Sequence, residues 1–156
     1  MSKLTNLVKE VIKNNQYLTI ASSDSSGKAW VSVVAYVYDD DYNFYYVSIP
    51  DSQHQQDIEH NSNIAFTIFD SHQSWGKGIG IQVEASVEEV GIKDIPRVTK
   101  MYFLRKYPYG DVIGKFGKGL RNLLKGKVYR FYKAVPTRFW YPDLDAEVDA
   151  RVEVKL

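Results

Sequence analysis

The chain has 156 residues, 44% of them hydrophobic and 25% charged, with a formal net charge of +1. That is enough chain for one packed core and too little for two unrelated catalytic domains, so residues 1–156 are expected to form one domain. The balance of charge excludes a disordered chain and a field of one sign, and the absence of cysteine excludes disulfides, thiolate nucleophiles and thiolate metal sites.

Leu4, Leu7, Val8, Val11 and Ile12 recur at helical spacing, with Lys3, Lys9, Glu10 and Lys13 opposite, which predicts an amphipathic helix from about Ser2 to Asn14. This segment lacks the apolar core of a signal peptide, and no later stretch approaches the ~20 apolar residues that span a bilayer. A cytoplasmic location without membrane attachment is the resulting expectation. Tyr17 to Ser22 reads as a first strand, Asp24-Ser25-Ser26-Gly27 as a turn, and Ala29 to Tyr38 as the return strand of a hairpin. On that strand Trp30, Ser32, Val34 and Tyr36 alternate with Val31, Val33, Ala35 and Val37, which predicts cover on both faces. Asp39-Asp40-Asp41 is expected to be a solvated turn.

Phe44 to Ile49 forms a third strand halted by Pro50, and a loop with a short helix follows from Asp51 to His60. Ile64 to Phe69 and Ile81 to Val90 read as strands on either side of a glycine-bearing loop, Ser71 to Gly80. Helical spacing returns from about Asp94 to Tyr107, up to Pro108. The glycines between Asp111 and Gly126 interrupt any such pattern. Val128 to Val135 is a sixth strand, which Thr137 to Tyr141 extends or repeats, and the tail from Asp143 is expected on the surface or along a neighbour. Strands in such quick succession favour an antiparallel meander or Greek-key barrel, because parallel pairs need long crossovers.

Several apparent motifs fail on spacing. Gly76-Lys77-Gly78-Ile79-Gly80 lacks the βαβ context and downstream acid of a dinucleotide fingerprint, and Gly114-Lys115-Phe116-Gly117-Lys118-Gly119 lacks the Gly-Lys-Ser/Thr of a phosphate loop. The acid-free basic run Lys115, Lys118, Arg121, Lys125, Lys127, Arg130 and Lys133, interleaved with Phe116, Tyr129 and Phe131, has the composition of a single-strand nucleic-acid surface. Acids elsewhere cancel its charge, and nucleic acid is not the expected partner. His54, His60 and His72 with Asp51, Asp57 and Glu59 form no tight three-ligand set for a metal. The 12 tyrosines and 3 tryptophans suit either a half-wet cofactor rim or subunit interface, or plain strand packing.

What remains is the turn Ser52-Gln53-His54, which places a hydroxyl, an amide and an imidazole at a helix N-terminus, where free backbone N–H groups attract phosphate. Val47-Ser48 lies just before it, and the adjacent strand carries Ser32-Val33-Val34. A strand edge can read the pyrimidine rim of a flavin through main-chain groups while valines press on its face.

These residues resemble the pyridoxamine 5′-phosphate oxidase-like family of FMN-binding split barrels, in particular its small bacterial members called general stress proteins. The resemblance is carried by residues 27–34, 41–48, 51–58 with Asn61-Ser62-Asn63, and Ile81-Gln82-Val83-Glu84-Ala85 followed by Glu88-Glu89. It implies a six-stranded antiparallel split β-barrel with flanking helices, a homodimer, and FMN at the subunit interface. By position, Ser32, Val33 and Val34 match the strand lining the ring, Val47 and Ser48 a second ring-contacting pair, and Gln53 and His54, beside Ser52, the basic pair on the phosphate. The family places arginine where Ser32 stands and Arg-Lys where Gln53-His54 stands, so phosphate binding is expected to be weaker or to be helped by other basic residues, Lys115 or Lys118, from this subunit or its partner. No Arg-Leu-His signature occurs among Thr137-Arg138-Phe139-Trp140, so the expected activity is that of an FMN-dependent oxidoreductase of unspecified substrate rather than a genuine pyridoxamine phosphate oxidase. A non-enzymatic binder of flavin, haem or another planar ligand on the same barrel is the alternative.

Overall fold

The apolar stripe near the N-terminus does form a helix, α1 (Lys3–Asn14), and Ser2 starts it: its hydroxyl accepts the Thr5 N–H at 3.1 Å. The structure, a computed structural model, describes residues 2–75, 77, 79–105, 129–146 and 149–156. Val8 and Ile12 of α1 are fully buried against the strands. At its far end the Asn15 side-chain amide donates to the Val11 carbonyl at 2.9 Å, and the Arg105 guanidinium donates to the Asn15 carbonyl at 2.7 Å while lying 4.5 Å from the Tyr36 ring centre.

The strands are β1 (Tyr17–Ser23), β2 (Ala29–Tyr38), β3 (Phe44–Ser48), β4 (Asn63–Phe69), β5 (Gly80–Glu89), β6 (Arg130–Pro142) and β7 (Arg151–Val154). They pair antiparallel in the order β3-β2-β1-β4-β5-β6-β7, and a further pairing of β3 with β6 closes the first six into a barrel, leaving β7 outside the closed ring. Closure reduces the exposed edges that an open sheet would present. Glycine is needed at two points. Gly27 holds φ at +83° in the β1–β2 turn, where Asp24 accepts from Ser26 and Lys28, and a Cβ on Gly80 would lie 2.8 Å from the Phe69 Cβ across the β4–β5 ladder.

Two cores follow from the alternation of side chains. The barrel interior is filled by Leu18, Ile20, Tyr36, Phe44, Tyr46, Phe66, Ile68, Ile81, Val83, Tyr132 and Phe139, with α1 across one side. A smaller cluster lies on the outer face of β2, β3 and β6, where helix α3 (Ile95–Leu104) covers Val37, Tyr45 and Phe131 with Val98 and Phe103. The α3 pattern that predicts helix to Tyr107 ends at Leu104, because Arg105 turns to an extended ψ of 128°. Helix α2 (Gln53–His60) packs on β1 and β2.

The structure settles one alternative left open by the sequence, in β6, and departs from expectation in three places. β6 is one strand across Pro136, since Glu84 pairs with Arg138 and Ala85 with Pro136, leaving Thr137 as the extra residue of a bulge, where a proline costs no ladder bond. The tail is not merely superficial: Arg151 to Val154 pairs with Pro142 to Phe139 and buries Val154. In the turn after β2 only Asp40 and Asp41 are exposed, while Asp39 accepts from the Asn43 backbone N–H at 2.9 Å and the Tyr45 hydroxyl at 2.8 Å. Finally, the first half of β2 is not covered on both faces, for Val31 is 61% and Val33 64% exposed.

Candidate functional site

β2 and β3 are paired next to their hairpin turn and separate beyond it. Their pairing runs from Tyr38 with Phe44 to Tyr36 with Tyr46 and then stops, although both strands continue. From Ala29 to Ala35, β2 is paired with β1 on one side, while on the other no strand among the described residues takes up its backbone groups. Beyond Tyr46, Val47 and Ser48 pair, among the described residues, only with β6. A seam of open main chain therefore lies between Trp30–Ala35 and Val47–Ser48, and unpaired backbone groups there need a partner from water or a ligand.

The seam ends at α2. Pro50 blocks continuation of β3, Ser52 takes the extended conformation of an N-cap, and the next eight residues are helical. The Ser52 hydroxyl makes no capping bond. It instead lies 3.1 Å from the Ser48 hydroxyl and 3.5 Å from His54 Nε2, and Ser48 Oγ lies 2.8 Å from that same nitrogen. His54 is 8% exposed, with its ring against Tyr46. Burial pushes its pKa below the ordinary histidine value, and the Asp57 carboxylate opposes that shift only in part. The imidazole is therefore neutral at neutral pH in this setting, and it sits in a nest of hydroxyls rather than of charges.

Asp57 was assigned no role by spacing, yet it organises the helix from below. Its carboxylate is buried and accepts from the Ser22 hydroxyl on β1 at 2.7 Å and from the Gln53 side-chain amide at 2.8 Å. The Gln53 amide is thus turned along the helix, a Gln-to-Asp pair four residues apart that the sequence does contain. Buried Gln55 donates to the Tyr46 hydroxyl at 3.0 Å, which fastens α2 to the barrel interior.

Of the residues singled out from sequence, Ser48, Ser52 and His54 come together. Ser32, Val33 and Val34 lie along the open edge of β2. Ser32 accepts from the Trp30 indole N–H at 3.1 Å, Val34 packs against the barrel core, and Val33 faces outward. The side chain of Val47 belongs to the cluster under α3 rather than to the face of Ser48, so only its backbone borders the seam. Lys115 and Lys118 lie outside the described residues. Among the described residues no group of three His, Asp or Glu side chains is placed to hold a metal, and no helix is long and apolar enough to cross a membrane.

The fold has many solved relatives. A protein of unknown function from Agrobacterium tumefaciens superposes with a TM-score of 0.68 at 14% identity over 97% of this chain, which spans 62% of that protein's length. The heme storage protein HutZ from Vibrio cholerae gives 0.65 at 13% identity, covering 90% of this chain and 95% of its own. An FAD-binding protein from Mesorhizobium loti gives 0.62 at 16% identity, covering 89% and 92%. At these identities the likeness is one of fold. No curated protein matches the chain. The family model for pyridoxamine 5′-phosphate oxidase matches residues 4–131, most of the chain and all of the seam and its helix, and the chain therefore belongs to the pyridoxamine 5′-phosphate oxidase family.

Proposed function

We propose that this protein is a flavoprotein that holds FMN non-covalently and acts as an oxidoreductase in a homodimer. The observation that carries the reading is the open seam between β2 and β3 ending on the Ser48–Ser52–His54 cluster. A flavin offers a flat apolar plate, a pyrimidine rim of alternating acceptors and a donor, and a phosphate on a short chain. The main chain from Ser32 to Val34 suits the rim, and the hydroxyls of Ser48 and Ser52 with the imidazole of His54 suit the phosphate. When bound, such a cofactor supplies the hydride or electron chemistry, and the protein contributes orientation, electrostatics and exclusion of water.

The second copy is part of the proposal. Tyr17 (53% exposed), Val31, Val33 and Phe69 (51%) leave an apolar outer face on β1, β2 and β4. A ring lying against the β2 edge beside such a face would be half open to water unless another protomer covered it. Pyridoxamine phosphate is not the proposed substrate, since Arg138 is engaged by Glu153 at 3.1 Å and lies 4.3 Å from the Trp140 ring centre. Haem, the ligand named for the Vibrio relative, is less well served: His54 Nε2, the atom an iron would need, is taken by Ser48.

The absorption spectrum of freshly purified protein, followed by calorimetric titration with FMN and with riboflavin, tests the reading. The expected result is a flavin spectrum and tighter binding of FMN than of riboflavin, because the phosphate gains hydrogen bonds at Ser48, Ser52 and His54. Equal affinity for both would remove the phosphate from this cluster. A haem spectrum would transfer the site to the other ligand.

A further inference from the structure

Among the described residues the Ser48–Ser52–His54 cluster contains no fixed cation, yet the strand beside it brings one. Ser48 on β3 is the register partner of Arg130 on β6, and both point to the same face, as the next inward pairs Tyr46–Tyr132 and Phe44–Ala134 do. Arg130 is therefore placed at the end of the barrel, next to Ser48 in register. It is not idle there. Its guanidinium donates to a Glu89 carboxylate oxygen at 2.8 Å, with both side chains about half exposed. Glu89 is on the neighbouring strand β5, opposite Tyr132. The Tyr132 ring, stacked on Tyr46, feels Glu89, Arg130, Glu59 and Asp51 together, so these four charges surround one end of the barrel.

We propose that Arg130 is the phosphate-binding cation of this site and that Glu89 holds it in reserve, yielding it when a phosphate monoester arrives. The inference rests on the flavin reading above and adds to it a residue and a competition. An exposed Arg–Glu pair is worth little, because both ions remain solvated. A dianionic phosphate backed by two hydroxyls and an imidazole offers the same guanidinium a bidentate partner of higher charge. The exchange is therefore favourable toward the ligand, and in the empty protein the Glu89 carboxylate keeps Arg130 partnered. It also makes good the departure in the family's Arg-Lys position, where this chain has Gln53, turned to Asp57, and a neutral His54.

Calorimetric titration of the full-length protein with FMN and with riboflavin tests this in three forms, the parent, Arg130→Gln and Glu89→Gln. Arg130→Gln is expected to weaken FMN about tenfold to a hundredfold, the loss of one charge-assisted hydrogen-bonding partner, and to leave riboflavin within about threefold. Glu89→Gln is expected to tighten FMN and leave riboflavin unchanged, since the competitor is gone. Both residues are half exposed and on strand ends, so neither change empties the core, and circular dichroism verifies the fold. An FMN-to-riboflavin ratio that stays at the parent value in Arg130→Gln overturns the assignment while leaving the flavin reading intact. Failure of the parent to bind either flavin overturns both.

Discussion

His54 is a base buried in its neutral form, and that has a consequence for stability apart from any ligand. Its native pKa lies below the ordinary value of 6.5, so at mildly acid pH the unfolded chain binds more protons than the native one. The stability it contributes is complete above about pH 6.5 and is lost as pH falls from there through the lowered native value. Urea denaturation between about pH 5 and 7.5 should show midpoints dropping on the acid side, and His54→Gln should flatten that drop. A slope unchanged by the substitution would mean that the imidazole titrates freely. Asp39 acts in a different window. Burial would raise its carboxyl, but the hydrogen bonds from Asn43 and Tyr45 outweigh that and hold it below the ordinary 3.8, so its contribution is lost only in stronger acid.

At the scale of elements, Gly80 offers a direct test of how closely β4 and β5 approach. A methyl group there would meet the Phe69 Cβ at 2.8 Å and the Ile68 carbonyl at 3.1 Å, both on an ordered strand. Gly80→Ala should cost about 1–3 kcal/mol in a denaturation experiment, with no change in the slope against denaturant. α1 and the strands from β1 to β5 were legible in the sequence because each carries its period in its own residues, whereas α2, with Ile58 as its one apolar residue, was legible only from Pro50 and the helix start at Ser52. β7 was not, because Arg151 and Glu153 alternate with only Val152 and Val154, and such a short run becomes a strand only through a partner that no local pattern names. For β6 the sequence left open whether Thr137 to Tyr141 extends or repeats the strand, because Pro136 is a breaker until the bulge opposite Glu84 is known. The site divides the same way. Ser52 and His54 were legible from a turn and a helix start, whereas the hold of Ser22 on Asp57 and the pairing of Arg130 with Ser48 join residues far apart in the chain. The first needs α2 to pack on β1, and the second needs closure of the barrel.

For the whole molecule, the decisive question is what covers the outer face of β1, β2 and β4. Val33 points outward from the middle of that face and pairs in register with Thr19. If a second copy sits there, Val33→Glu places a charge in an apolar contact that offers it no partner. Light scattering at micromolar concentration should then show the parent as a dimer and the variant as a monomer, and the variant should retain its circular dichroism but bind FMN more weakly. A parent that is already monomeric, or a variant that remains dimeric, would move the interface elsewhere. The contrast is clean because Val33 lies outside both buried clusters, so its replacement does not disturb the cores.

The ladder between β3 and β6 has a further meaning in time. Phe44 to Ser48 must find Ala134 to Arg130, so ring closure joins an early part of the chain to a late one, whereas the β1–β2 and β4–β5 ladders join near neighbours. Pairings of such long range tend to set the pace of folding and to be completed late, since the chain between them must be ordered first. Ser48 and Arg130 form the last rung of that ladder, and a ligand that grips both would act as a latch on the step formed last. Its effect would be read in the rate of unfolding, which should fall with ligand concentration, far more than in the rate of refolding.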